Sequence, residues 1–442
     1  MTASGSLATT RGLARRQILT VALLYAGYAS YYFCRSDFSV ALPMLVDELH
    51  RSGLTTNIAT VRLGAIASLG VLAYAAGKFM LGGLGDFWGG RRNFIAGLGG
   101  AVVFTILFGL GGGLPIFTLA WIGNRVFQSM GWAGLVKVCS KWFSYTSYGT
   151  IVGVLSLSFL VGDAIARQSM GMLIQAGFGW RALFYFAASV AGIVLIANLL
   201  LLREARTTFG YAEPEANPLN VFESRTGGAA RGLRAFLYRF LTNRAFWMVC
   251  LLSLGTTLIR EAFNTWTPTY LHELFHFSEA NAAGMSAIFP AVGAVSVMVT
   301  GWAGDRMGAN GRAIVMFFGL ITTTVGLLAL ASIGVAPGSL PLIVIGVVAF
   351  GLLGPYSYLA GAMALDFGGS QGGATSSGII DGVGYLGGVL AGDSVARVSV
   401  AFGWRGVFVA LAVVSAVSAF AACLLFLHQR SEITKRKQPV GT

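Results

Sequence analysis

"YYFCRSDFSVALP", residues 31–43, lies inside a run that otherwise reads as a membrane-spanning helix, and at its centre is Arg35. The run extends over about residues 17–46, and roughly twenty apolar residues suffice to cross a bilayer. A guanidinium at that depth is costly, so it must face the protein interior and have a partner.

The rest of the 442-residue chain repeats the pattern, being 55% hydrophobic and only 11% charged. Twelve spans are expected, near residues 17–46, 58–84, 93–112, 115–139, 148–175, 181–202, 245–271, 280–303, 313–334, 340–365, 372–401 and 405–427. The fold class is therefore an all-α membrane protein with twelve transmembrane helices. Arg11, Arg15 and Arg16 precede the first run as in a signal peptide, but an h-region is only ~7–15 residues long, so the run is expected to stay as the first span.

The formal charge of +13 raises the question of nucleic acid. The basic residues instead gather in alternate short loops and the tail: Arg91 and Arg92, Lys141, Arg203 to Arg244, Arg306 and Arg312, then Arg430, Lys435, Arg436 and Lys437. No basic stripe with interleaved aromatics is present, so no nucleic-acid partner is expected. By the positive-inside rule both termini are expected in the cytoplasm. The four cysteines, Cys34, Cys139, Cys250 and Cys423, stand singly in apolar runs without metal spacing, which predicts reduced packing cysteines.

Residues 203–244 form the one long polar stretch between spans and divide the chain into an N-terminal bundle, 1–202, a cytoplasmic linker, and a C-terminal bundle, 245–442. The halves repeat. Arg35-x-x-Phe38-x4-Pro43 recurs as Arg260-x-x-Phe263-x4-Pro268, displaced by 225 positions. Phe178-Gly-Trp-Arg181 recurs as Phe402-Gly-Trp-Arg405, and "GDFWGGRR" after the second span has a counterpart in "GDRMGANGR" after the eighth. Two pseudo-symmetric six-helix bundles with such glycine-rich loops resemble the major facilitator superfamily over essentially the whole chain. The resemblance implies a midplane substrate site and alternating access by rocking bundles, with the Gly-Asp loops as cytoplasmic gate elements.

The bland account of the two arginines is a buried ion pair, Arg35 with Asp37 or Arg260 with Glu261. Residues one or two apart on a helix point to different faces, whereas i,i+3 and i,i+4 residues meet, so a partner on another helix is the form of this account left open. The repeat offers a second account, in which equivalent positions of two facing bundles bring two guanidiniums to one cavity. Arginine is always charged and its planar fork binds phosphate oxygens bidentately. A phosphomonoester carries about −1.5 to −2 at neutral pH, close to what two arginines neutralise.

"GYASYYFCRSDFSVALPMLVDEL" and "LIREAFNTWTPTYL" are similar to the first- and seventh-span signatures of the organophosphate:phosphate antiporter family, which includes glycerol-3-phosphate, hexose-6-phosphate and glucose-6-phosphate transporters. "AAGKFMLGGLGD", "NRVFQSMGWAGLVKVCSKWF", "GLLGPYSYLAG" and "GVGYLGG" add to the match. The resemblance implies a phosphate clamp of Arg35 and Arg260, Lys78 as a supporting cation, and Tyr28, Tyr32 and Tyr385 as lining residues. Lys78 could equally snorkel to water, and the tyrosines could be packing. Asn264 and Trp266 beside Arg260 are further candidate contacts, and Arg125 could pair with an acidic neighbour. The chain departs from the glycerol-3-phosphate branch, with Phe159 where that branch has a membrane-embedded histidine and Ser36 where it has a lysine.

Asp163 and Arg167 in the fifth span, and Asp381, Asp393 and Arg397 in the eleventh, are charges with no place in that scheme. "GDAIAR" and "GDSVAR" put an aspartate four residues before an arginine, as structural ion pairs or coupling groups. The expected activity is exchange of a phosphorylated organic metabolite for inorganic phosphate. A non-transporting hexose-phosphate receptor and a proton-coupled carrier of another organic anion are the alternatives. No nucleophile with a base, no paired catalytic carboxylates and no metal cluster stands out, so neither an enzyme nor a cofactor is expected. The expected partners are the lipid bilayer, an organophosphate and inorganic phosphate, for a monomer in a bacterial inner membrane.

Overall fold

The computed structural model describes residues 3–81, 88–214, 242–306, 311–333, 339–359 and 363–437. Among these there is no strand. The first seven helices are α1 (Ala3–Arg51), α2 (Thr56–Leu81), α3 (Gly90–Leu110), α4 (Leu114–Gln128), α5 (Met130–Trp142), α6 (Tyr145–Gln175) and α7 (Trp180–Leu201). A short 3-10 turn, Arg206–Phe209, precedes α8 (Arg244–Phe275), α9 (Glu279–Ser286), α10 (Ile288–Arg306), α11 (Gly311–Ser332), α12 (Leu340–Tyr358) and α13 (Ala364–Lys437). Residues 215–241 of the predicted linker, and 82–87 and 307–310 of the two Gly-Asp loops, lie outside the described residues.

The chain forms two compact units, Met1–Asn217 with Phe277–Ala287, and Pro218–His276 with Ile288–Thr442. Helix α9 therefore packs with the first unit, against α6. Among the described residues eight helices are long and apolar enough to cross a membrane. Side chains such as Phe402, Ile193, Phe420 and Leu200 are each more than 60% exposed, a density of outward apolar groups that a bilayer, not water, accommodates. Helices α4 and α5 fall outside the eight because each is short, with 15 and 13 residues.

Local chemistry explains where the helices depart from twelve plain spans. The predicted fourth span is split at Ser129, whose hydroxyl donates back to the Val126 carbonyl at 2.6 Å, a contact that bends helices. The eighth breaks at Ala287, where Pro290 lacks the N–H that would reach the Ser286 carbonyl. The eleventh and twelfth run together as α13, within which Gly403 lies in the left-handed region at φ 66°.

The sequence repeat is also a packing repeat. A Cβ on Gly162 would lie 2.5 Å from the Ala29 carbonyl oxygen, and one on Gly387 would strike the Leu254 carbonyl, each pair displaced by the same 225 positions. Glycine thus lets α6 close onto α1 and α13 onto α8. At the ends of these helices Arg181 donates to Glu48 at 3.1 Å, while the Trp404 indole donates to Glu273, the repeat equivalent of Glu48, at 2.8 Å.

Beyond the end of α7, Glu204 caps α3: its carboxylate accepts the Gly90 and Arg91 amides at 2.9 and 2.7 Å and pairs with Lys141 at 3.2 Å. Burial raises its pKa, but the two amides and the Lys141 ammonium outweigh this and hold the carboxyl below the usual range. Its contribution is present above the unfolded value of about 4.3 and is lost as pH falls through the lower folded value. The melting temperature of detergent-purified protein is expected to fall on acidification through that window, and less so in Glu204→Gln; equal acid slopes would remove the assignment.

Candidate functional site

In the first unit the tyrosine ring of Tyr74, buried on α2, gathers three cations. Arg35 from α1, Lys78 from α2 and Arg125 from α4 each approach it with their charged groups 5.1 Å from its centroid. Helix geometry brings Lys78 there, since it lies one turn after Tyr74. Arg35 also lies 5.2 Å from the Tyr32 ring, and donates to the Tyr32 hydroxyl at 3.4 Å. These are cation–π distances, at which an aromatic face holds a guanidinium without neutralising it. Asp37 is fully buried two residues beyond Arg35; its Oδ1 accepts the Phe38 amide at 2.7 Å, and it lies in the field of Arg125.

The other predicted residues of this unit divide between the cluster and its frame. Tyr32 packs on Phe159 at 5.5 Å as well as meeting Arg35. Tyr28 packs among Tyr31, Tyr32 and Trp132, with centroids 5.3 to 6.0 Å away. Asp163 accepts from the Ser36 hydroxyl and from Arg167 at 2.9 Å, and Arg167 donates on to Ser286 of α9 at 3.1 Å. This chain of polar groups is buried and starts one residue from Arg35.

In the second unit Arg260, on α8, is 5% exposed and lies 4.5 Å from the Tyr356 ring of α12. It donates to the Tyr385 hydroxyl of α13 at 3.4 Å. It also forms an ion pair with Glu261 at 2.5 Å, which overturns the expectation that adjacent positions on a helix cannot meet. The i,i+3 and i,i+4 preference is a rule about Cβ directions; two long side chains, buried on the same side of α8, bend towards each other and override it. Trp266 is a packing residue, its indole donating to the Ala391 carbonyl at 2.9 Å. Asp381 is half-buried on α13.

Asp393 and Arg397 pair at 2.7 Å with side chains 33% and 65% exposed, against 7% and 3% for Asp163 and Arg167. The two motifs are not equivalent. Gly387 makes the close approach corresponding to Gly162, so Asp393 sits more than a turn further along its helix than Asp163 does.

Tyr74 and Tyr356 escape a sequence reading because tyrosines in apolar helices look like packing. The spacing of Tyr74 one turn before Lys78 is the only hint.

The geometry agrees with what the chain is similar to. A family model described as Major Facilitator Superfamily matches residues 24–392. A "Probable hexose phosphate transport protein" of Chlamydia pneumoniae is 27% identical, over 91% of this chain and 89% of that one. A "Glycerol-3-phosphate transporter" of Bacillus subtilis is 24% identical, over 94% and 93%. The "Membrane sensor protein UhpC" of Escherichia coli is 26% identical, over 92% and 90%. A crystal structure of a bacterial homologue of the human lysosomal transporter Spinster, inward-facing and unoccupied, superposes with a TM-score of 0.74 at 16% identity, covering 96% of this chain and 99% of that one. With a family model spanning most of its length and a multi-pass helical fold around buried cations, the chain belongs to the Major Facilitator Superfamily, a family of transporters rather than enzymes.

Proposed function

We propose that this protein exchanges a phosphorylated organic metabolite, of the sugar phosphate or glycerol phosphate class, for inorganic phosphate by alternating access. The observation that carries the reading is the cation cluster on Tyr74. Like charges gathered in an apolar bundle repel, and a bound phosphate dianion relieves that repulsion. Arg35, with Lys78 beside it, and Arg260 are the proposed phosphate ligands, and Tyr32 and Tyr385, which hold them, line the path; Tyr28 supports Tyr32. The names of the hexose phosphate and glycerol-3-phosphate relatives support the substrate class.

Exchange follows from charge. Closing the protein over a cluster of like charges is costly, and an anion bound among them lowers that cost, so the conformational change is coupled to an anion in either direction. The similarity to a membrane sensor supports a second reading, recognition of a hexose phosphate without flux. The topology that fits the basic loops is a monomer in the bacterial inner membrane with both termini in the cytoplasm.

Purified protein in phosphate-loaded liposomes, challenged with external organophosphates, is expected to release labelled phosphate. Phosphate-free liposomes are expected to show little net uptake, with or without a proton gradient. Binding without any flux would favour the sensor. Gradient-driven accumulation against an empty interior would favour proton coupling, with Asp163, Asp381 or Asp393 as carriers.

A further inference from the structure

Arg260 does not stand in the second unit as a bare cation. Its guanidinium donates to the Glu261 carboxylate at 2.5 Å, and both side chains are nearly sealed from solvent, at 6% and 3% exposure. The equivalent position in the first unit is Ser36, whose hydroxyl donates to Asp163, a carboxylate already paired with Arg167. On α13 the equivalent of Asp163 is Gly388. The second unit therefore carries its carboxylate on the arginine's own helix and directly on the guanidinium, not one residue away on a neighbouring helix.

A carboxylate and a phosphate oxygen use the same donors on a guanidinium. From this geometry we infer that Glu261 is an internal competitor, an anion that occupies Arg260 until the substrate phosphate displaces it. This rests on the proposed role of Arg260 as a phosphate ligand. The competitor weakens binding, which keeps release fast on the far side of the membrane. It also excludes weaker anions, because only a ligand of high charge density can take the guanidinium from a carboxylate at covalently enforced proximity. Glu261 is thus a specificity-determining residue.

The test is phosphate–phosphate exchange in proteoliposomes by the full chain and by Glu261→Gln, which keeps the side chain's shape and one acceptor but removes its charge. The variant is expected to lower the apparent KM for inorganic phosphate by about tenfold, since a charge-assisted competitor is replaced by a neutral one, with a lower maximal rate as release slows. Nitrate, a monoanion, is expected to inhibit the variant more strongly than the unaltered protein. A purely structural role would not move the KM downwards or create nitrate sensitivity. Should Glu261→Gln fail to fold, Glu261→Asp, with its shorter reach, is expected to shift KM and nitrate inhibition in the same direction by less. Unchanged KM and nitrate sensitivity in a folded variant overturn the inference while leaving the exchange reading intact. Absence of both phosphate exchange and phosphate binding in the unaltered protein overturns both.

Discussion

Arg35→Lys and Arg260→Lys are each expected to lose about a hundredfold in phosphate exchange while the purified protein stays folded. Lysine keeps the positive charge, so it can still sit against Tyr74 and Tyr32 in the first unit, or pair with Glu261 and face Tyr356 in the second. What it loses is the planar fork that gives two parallel hydrogen bonds to one phosphate. Hydrogen bonds to charged groups are worth ~1.5–3 kcal/mol each, and one such bond lost in the bound state accounts for the expected drop. The measurement is labelled-phosphate exchange in proteoliposomes, with size-exclusion profile and melting temperature as controls. Near-normal exchange by both lysine variants would show that neither guanidinium is a phosphate ligand.

How far the sequence reveals this molecule depends on which physical signal each feature leaves. Apolar length is a one-dimensional signal, so the long apolar helices are readable, as is the 225-residue displacement that reappears as glycine contacts at Gly162 and Gly387. Breaks within helices leave a fainter mark. Ser129 and Pro290 account for theirs only once the backbone is known.

The candidate site is legible where charge is rare. Arg35 and Arg260 stand out because a guanidinium in an apolar run needs a reason. The aromatic rings that hold them do not stand out, since Tyr74 and Tyr356 sit among 14 tyrosines with no compositional contrast. Two sequence signals mislead for an identifiable physical reason. The rule for helix neighbours speaks against an Arg260–Glu261 pair because it concerns short-range Cβ direction, and arginine and glutamate reach beyond it. The likeness of "GDAIAR" to "GDSVAR" suggested equivalence, yet the displacement of the rest of the repeat aligns Gly162 with Gly387. Register over many residues is the better guide, because it is the register that packing enforces.

That difference in register decides what the two aspartate–arginine pairs are worth. Asp163→Asn is expected to be severely destabilising, because it removes the carboxylate that neutralises Arg167 in a site only 3% and 7% exposed, and breaking one side of a buried pair costs ~3–5 kcal/mol. Against a total stability of about 5–15 kcal/mol, this should show as lost yield or a sharply lower melting temperature. Asp163→Asn combined with Arg167→Gln removes both charges together. The asparagine oxygen can still accept from the Ser36 hydroxyl, and the glutamine amide remains near Ser286, so folding and most exchange are expected to return. Asp393→Asn is expected to cost less stability than Asp163→Asn, since Arg397, 65% exposed and close to the expected end of its span, can extend its charge to the membrane interface. The decisive comparison is the double variant. If it is well folded and fails to exchange phosphate, Asp163 and Arg167 act in the transport pathway itself, and the polar chain from Ser36 to Ser286 is part of how substrate occupancy reaches α9.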